Sequence, residues 1–279
     1  MHKVGGTTMS GMNRNIADSM AKLNPKQQRN AAIAGLIRGG SDNDYDRSFW
    51  GGAYNLNVGH MMPTFPIFGT FEFLPFFMHR TIDVDTTSVW TAANSGSGTG
   101  LALQDAAGGR AKLINAATDN SYYYYFSNGE VVKLATNRQI YVFAHALKIK
   151  DVDQADWFIG LCKKLGSGNL FDNRVDAIGF YGTDGSALIR SETNKNGTSS
   201  QESTGQSLTD EVETWLGIHI NGTAAAYFFT GNSRGFRVIK TTNLPDDEEL
   251  AVAFGCRNGQ AVANEMTIGQ IDVIIQSAG

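Results

Sequence analysis

The chain has 279 residues, a formal net charge of −4 at pH 7, 42% hydrophobic residues and 18% charged residues. Its 32 glycines and 5 prolines are typical of a turn-rich globular protein and exclude a disordered or fibrous chain. The charge is uneven, because the first 40 residues contain six basic residues and one acidic residue. This asymmetry indicates an arm that meets a partner of opposite charge.

Two short amphipathic helices are predicted within this basic arm, residues 1–40. The apolar residues that share one face are Ile16, Met20 and Leu23 in the first helix and Ile33, Leu36 and Ile37 in the second. Pro25 suits the first turn of the second helix, and the two glycines at 39 and 40 end it. Two such helices cannot form a core alone, so we expect their apolar faces to rest on another surface.

Residues 41–80 are predicted to form an aromatic-rich connector. Glycines and prolines interrupt the segment, and Phe49 and Trp50 are among its many aromatic residues. Two interpretations are open: the aromatic side chains form ordinary core beneath a long loop, or they form a subunit interface.

From residue 81 onward the hydrophobic period changes to two, which predicts strands. The candidate strands are 81–85, 87–92, 111–115, 130–135, 139–149, 156–162, 175–181, 186–192, 213–220, 224–230, 235–240, 249–256 and 266–276. Hairpin signals separate them, the clearest being Asn221-Gly222, whereas 96–100 and 197–205 are predicted to be small-residue loops. The fold class predicted for 81–279 is all-β, a two-sheet antiparallel jelly-roll sandwich.

The sequence contains no recognisable catalytic motif. The histidines lack zinc-ligand spacing, no nucleophile elbow is present, and no strand shows the Glu-x-Asp-x-x-Glu or similar spacing of a glycosidase. Asp151, Asp153 and Asp156 allow either a calcium site or a plain turn before a strand, and the turn is the simpler interpretation. We therefore predict no catalytic residue, metal or cofactor, and we expect Cys162 and Cys256 to be buried thiols.

The run from Tyr122 to Phe126 is the most unusual segment. Alternating tyrosines favour a strand that contributes to core and interface, whereas exposed rings at Tyr123 and Tyr125 would allow contact with a glycan. Asp119 and Glu130 flank the run and argue against nucleic acid as the ligand.

Several segments, taken in their order, resemble one family of domains. These segments are Asp153–Leu161, Asp176–Phe180, Asp184-Gly185, Trp215–Ile218, Asn243–Leu250 and Met266–Asp272. They are similar to the concanavalin A-like, laminin-G-like jelly-roll domains in structural proteins of tailed bacteriophages. The resemblance covers about residues 80–279.

The resemblance implies a non-enzymatic capsid decoration or cement protein, a homotrimer on the capsid exterior that assembles in the bacterial cytoplasm. The expected partners are the major capsid protein and other copies of the chain, without nucleic acid or membrane. The residues expected to dock on the capsid or on a neighbouring subunit are Arg14, Ile16, Met20, Leu23, Arg29, Ile33, Leu36, Ile37, Phe49 and Trp50. The alternative is a receptor- or glycan-binding fibre or tail protein that uses the loops of the sandwich, and a glycan-cleaving enzyme is a third hypothesis.

Overall fold

The structure, a computed structural model, describes residues 69–76, 90–104, 110–130, 132–166, 168–230, 238–269 and 271–278. The chain divides into one unit up to Ile67 and a second unit, Phe68–Gly279, to which all the described ranges belong. The predicted helical arm and every predicted capsid-docking residue, from Arg14 to Trp50, lie outside the described residues.

Strands dominate the described residues, which also contain a single 3₁₀ turn at Val152–Gln154. The strands are β1 (Gly69–Phe76), β2 (Trp90–Ser95), β3 (Thr99–Gln104), β4 (Arg110–Ile114), β5 (Tyr122–Ser127), β6 (Val132–Lys133), β7 (Arg138–Ile149), β8 (Ala155–Cys162), β9 (Ala177–Thr183), β10 (Ser186–Lys195), β11 (Thr198–Ser207), β12 (Thr214–Asn221), β13 (Ala225–Thr230), β14 (Val238–Lys240), β15 (Glu249–Asn258), β16 (Glu265–Ile268) and β17 (Ile271–Ala278).

The strands form two antiparallel sheets. The nine-stranded sheet has the order β14-β13-β12-β7-β16-β4-β3, and β17 joins it by pairing with β7 on one side and β1 on the other. The eight-stranded sheet has the order β11-β10-β9-β8-β15-β5-β2, with β6 beside β15. This architecture confirms the predicted all-β, two-sheet antiparallel sandwich.

The main core lies between the two sheets, because alternate residues of each strand point to the facing sheet. Trp157 and Ile159 of β8 are buried there together with Ile218 of β12, from the other sheet. Phe180 of β9 meets Phe228 of β13 edge to face, with the ring centroids 5.1 Å apart. Aromatic and branched side chains from both sheets therefore fill one continuous core.

Four segments differ from the sequence prediction. Strand β1 falls within the predicted connector 41–80, and it extends the sheet by pairing with β17. Strand β11 occupies most of the predicted loop 197–205, and β3 begins inside the predicted loop 96–100. The candidate strand 266–276 is divided, because β16 pairs with β4 and β7 whereas β17 pairs with β7 and β1.

The sequence of β11 explains why it was missed. The strand consists mainly of serine, threonine, glutamine and glycine, so it shows no apolar alternation. It lies at the edge of the sheet, where it pairs with β10 alone, and Thr204 is its only buried residue. Backbone pairing therefore forms this strand without the hydrophobic pattern on which prediction depends.

Both cysteines, Cys162 and Cys256, are buried free thiols, which confirms the prediction. Burial raises the pKa of both thiol groups, that of Cys256 to about 12. Within the described ranges, no helix has the length and hydrophobicity needed to cross a membrane.

Candidate functional site

The outer face of the eight-stranded sheet is partly covered by residues 163–176, which connect β8 to β9 and are called the covering segment below. Leu170 of this segment is fully buried against the sheet. It belongs to a second hydrophobic cluster with Tyr124 and Phe158, which is separate from the core between the sheets. The outer face therefore has a small core of its own.

Small residues on this face make room for the aromatic rings of the second cluster. Gly179 lies under Phe158, since a Cβ atom at this glycine would lie 2.5 Å from the Cζ atom of the ring. Gly255 allows β5 to approach closely, since a Cβ atom there would lie 2.5 Å from the Tyr123 carbonyl oxygen and 2.5 Å from the Tyr124 Cβ atom. A larger residue at Gly179 would push the Phe158 ring outward and displace the covering segment, whereas one at Gly255 would clash with the main chain of β5.

Arg174 fastens the covering segment to the sheet. Its Nε and Nη2 atoms donate to the Oε2 atom of Glu192 on β10, at 2.9 and 2.8 Å. Its Nη1 atom donates to the backbone carbonyl of Leu170 at 2.6 Å, and more weakly to that of Phe171 at 3.4 Å. The guanidinium also lies over the ring of Phe158, 4.8 Å from its centroid. The Arg174 and Glu192 side chains are only 9% and 3% exposed, so this ion pair is shielded from water.

Arg257 forms a second ion-pair group beside the first. It binds Asp156 at 2.7 Å and Asp172 at 2.8 Å, and its guanidinium lies 5.4 Å from the ring centroid of Phe171. Burial acts to raise the pKa of Asp172, but hydrogen bonds from Asn169 and Arg257 outweigh it and lower the pKa. Both acids are therefore held as partners of one arginine.

A cleft opens between the covering segment and strands β8 to β11. Its volume is about 340 Å³. The residues that line it are Asp156, Trp157, Phe171, Arg174, Tyr181, Gly182, Thr183, Arg190 and Gln201. The size falls in the range of small-molecule sites, and the lining combines aromatic rings with hydrogen-bonding side chains.

Three side chains in the wall of the cleft remain accessible to a ligand. Phe171 is half-buried, so part of its ring remains available at the cleft wall. Gln201 of β11 is exposed, and its Nε2 atom donates to the Oε1 atom of Glu192 at 3.3 Å. Arg190 of β10 is half-buried, and its Nη1 atom donates to the Oγ1 atom of Thr183 at 2.6 Å. The cleft thus offers one apolar ring and several polar groups to a ligand.

The tyrosines suggested for glycan contact lie elsewhere. Tyr123 and Tyr125 are 7% and 3% exposed and belong to the core between the sheets. The Tyr123 hydroxyl donates to the Gly98 carbonyl at 2.7 Å, and the Tyr125 hydroxyl accepts from the Leu101 amide at 2.6 Å. Burial is the main cause that raises the pKa of Tyr125. The ring faces of both tyrosines are covered by protein, so the core interpretation fits their position and a sugar cannot stack on them in this fold.

Of the three acidic residues considered for calcium, Asp151 and Asp153 lie at the turn before β8, and Asp156 lies in β8 itself. Val152–Gln154 make the 3₁₀ turn, and Asp156 is bound to Arg257. Burial raises the pKa of Asp151, with further contributions from a hydrogen bond to Asp153 and from its negative charge. In the part of the chain that the structure describes, no group of three or more histidine, cysteine, aspartate or glutamate side chains is arranged to hold a metal ion.

Sequence reasoning considered Asp156 as a calcium ligand but did not identify the other residues that form the cleft. Phe171, Arg174, Arg190 and Gln201 come from the covering segment and from two strands, and none belongs to a motif. One signal was available: β10 alternates Arg190, Glu192 and Asn194 on the face opposite to Ile189. Polar and charged residues at alternate positions of a strand indicate that this face of the strand makes polar contacts and is not packed in an apolar core.

No protein-family model matches the chain, and no curated protein matches its sequence. Solved structures do resemble it. The endo-1,3-beta-glucanase from Streptomyces sioyaensis is 9% identical with a TM-score of 0.50, over 68% of this chain and 90% of that chain. An endo-acting O-glycanase of the human gut microbiota is 10% identical with a TM-score of 0.50, over 72% of this chain and 97% of that chain. The carbohydrate recognition domain of Emp46p is 8% identical with a TM-score of 0.47, over 72% of this chain and 94% of that chain. The likeness to the two glycan-cleaving enzymes establishes the shared jelly-roll fold.

Proposed function

We propose that this protein is a glycan-binding module without catalytic activity, and that the saccharide binds in the cleft beside the covering segment. The observation that carries the proposal is the combination of the Phe171 ring with hydrogen-bonding groups from β9, β10 and β11 in one open cleft. Sugar rings present apolar C–H faces and hydroxyl edges, so they require an aromatic surface beside polar side chains. The two enzymes that share the fold at a TM-score of 0.50 act on glycans, which is consistent with this class of ligand.

The ion pairs of the cleft favour binding over hydrolysis. A glycosidase needs one carboxylic acid that donates a proton and a second carboxylate that attacks or activates water. Three acids in and beside this cleft already accept hydrogen bonds from arginines: Glu192 from Arg174, and Asp156 and Asp172 from Arg257. None of these three is available as a proton donor to a leaving group, so we expect binding without cleavage.

The capsid-decoration hypothesis stays a prediction of the sequence resemblance, as do the homotrimer and the virion location. Its docking residues, Arg14 to Trp50, lie outside the described residues. Removal of residues 1–40 followed by a capsid-binding assay tests it separately from glycan binding.

The glycan proposal is tested with two matched glutamines on β11. Gln201 lines the cleft, whereas Gln206 on the same strand does not. The full chain is first applied to a glycan array, and the affinity of each bound saccharide is then measured by calorimetry. Gln201→Ala should weaken binding about threefold to tenfold, the loss expected for one neutral hydrogen bond. Gln206→Ala should leave the affinity unchanged.

Two results would contradict the proposal. One is the absence of binding to any saccharide on the array, and the other is an equal effect of the two glutamine variants. Chromatography of each bound saccharide after prolonged incubation tests the non-catalytic part, because shorter products would show cleavage.

A further inference from the structure

Arg190 differs in its partners from the other arginines in and beside the cleft. Arg174 is paired with Glu192, and Arg257 is paired with Asp156 and Asp172. Arg190 donates instead to a neutral acceptor, the hydroxyl of Thr183, at 2.6 Å. Among the described residues, no carboxylate lies within ion-pair distance of Arg190. A half-buried positive charge without an acidic partner is therefore part of the cleft wall.

The position of Arg190 is fixed by the sheet. In the register of the strands it lies between Tyr181 of β9 and Ser203 of β11, and it lines the cleft together with Gln201. A guanidinium group carries five N–H donors in a planar fork, and Thr183 accepts from one nitrogen of that fork. The remaining donors suit the two parallel hydrogen bonds that a carboxylate or a sulfate accepts.

We propose that the cleft selects saccharides that carry an acidic group, a carboxylate or a sulfate, and that Arg190 binds this group. The inference rests on the proposed glycan-binding function and names its class of ligand. A neutral saccharide would leave the charge of Arg190 without an anionic partner in a partly buried site, where a charge-assisted hydrogen bond is stronger than a neutral one. Glu192, Asp156 and Asp172 do not compete for Arg190, because Arg174 and Arg257 already bind them.

The experiment compares acidic and neutral forms of the same saccharide. Suitable pairs are oligogalacturonate and its methyl ester, sialyllactose and lactose, and a heparin-derived oligosaccharide and its desulfated form. Their affinities for the full chain are measured by calorimetry at constant ionic strength. The wild-type protein should bind the acidic member of at least one pair about 10- to 100-fold more tightly, which corresponds to one charge-assisted hydrogen-bonded contact. The pair that shows this difference identifies the acidic group as carboxylate or sulfate.

Arg190→Gln should remove this preference, so that the variant binds the acidic and the neutral member of the pair with equal affinity. Arg138→Gln is the matched control. Arg138 lies on β7 in the other sheet and is half-buried, and its Nη1 atom donates to a neutral acceptor, the carbonyl of Lys133, at 3.2 Å. The control should retain the full preference, which excludes an effect of net charge alone.

The inference is overturned if wild-type protein binds both members of every pair equally, or if Arg190→Gln and Arg138→Gln have the same effect. In either case glycan binding in the cleft still stands, provided that Gln201→Ala weakens it. If no member of any pair binds and the protein also binds no saccharide on the array, the proposed glycan-binding function is refuted.

Discussion

The buried ion pair between Arg174 and Glu192 gives the sharpest prediction for stability. Replacement of Glu192 by glutamine keeps the size of the side chain but removes the charge that compensates Arg174. The two side chains are only 9% and 3% exposed, so water cannot take over the role of the carboxylate. Removal of one partner from a buried pair costs about 3–5 kcal/mol of unfolding free energy. For a domain of about 200 residues this corresponds to a decrease in Tm of roughly 6–20 °C.

A second arginine–glutamate pair supplies the control. Arg110 and Glu213 also form two hydrogen bonds, at 2.9 and 3.0 Å, but the Glu213 side chain is 48% exposed. Glu213→Gln should therefore cost only about 0–1 kcal/mol. Urea denaturation followed by tryptophan fluorescence measures both variants. If the two variants lose the same stability, or if Glu192→Gln loses less than about 1 kcal/mol, the ion pair does not fasten the covering segment as argued.

A double variant separates stability from binding. Arg174→Met combined with Glu192→Leu replaces both charges by apolar groups, which should restore most of the lost stability. The backbone carbonyls of Leu170 and Phe171 would still lack their donor, so the Phe171 ring would be held less firmly. We expect a stable protein with weaker glycan binding, and calorimetry beside the urea curve tests the two properties separately.

Three further predictions concern other parts of the sandwich. At Gly182 a Cβ atom would overlap the indole Nε1 of the buried Trp157, so Gly182→Ala should lower the unfolding free energy by about 1–3 kcal/mol. Gly166→Ala is its control, because a Cβ atom there meets no atom within 4 Å, and equal melting curves for the two variants would refute the packing argument. Burial lowers the pKa of His219 from 6.5 to about 4, so between these values the unfolded chain binds a proton that the folded chain does not. Stability should therefore fall by up to about 3 kcal/mol as the pH drops from 6.5 to 4, and a pH series of urea curves should lose that slope in His219→Phe. The Cys162 thiol is fully buried, so a thiol reagent should react with it only in denaturant, and fast labelling of the native protein would contradict its placement.

The strands with alternating apolar residues could be predicted from the sequence. The candidate strands 139–149 and 213–220 correspond closely to β7 and β12, whose alternate residues enter the core between the sheets. The Asn221-Gly222 hairpin was also predicted correctly: it joins β12 to β13, and Gly222 has a φ of 58°. In these places the local pattern and the tertiary structure agree, because one face of each strand is buried in the main core.

The tyrosine strand shows where the pattern becomes ambiguous. In β5, Tyr123 and Tyr125 enter the core between the sheets, whereas Tyr124 and Phe126 enter the second cluster on the outer face. Both faces of β5 are therefore buried, so the strand shows no polar side. A run of this kind cannot be assigned to core or to a binding surface before the covering segment is placed.

The cleft could not be predicted, because its side chains meet only in the folded chain. Arg174 and Glu192 are 18 residues apart, and Arg257 and Asp172 are 85 residues apart. Neither pair is close enough in sequence to form a recognisable local motif, since each pair joins the covering segment to a different strand. The partners become visible only through the strand order β11-β10-β9-β8-β15.

The separation between the two hydrophobic clusters has a consequence for how this protein can change. The apolar residues of the covering segment pack in the second cluster, while the core between the sheets lies on the opposite side of the same strands. Residues 163–173 could therefore be exchanged as a cassette, with Arg174 and the underlying glycines kept, without repacking the interior of the sandwich. Such exchanges would produce proteins with the same sandwich but with different residues lining the cleft.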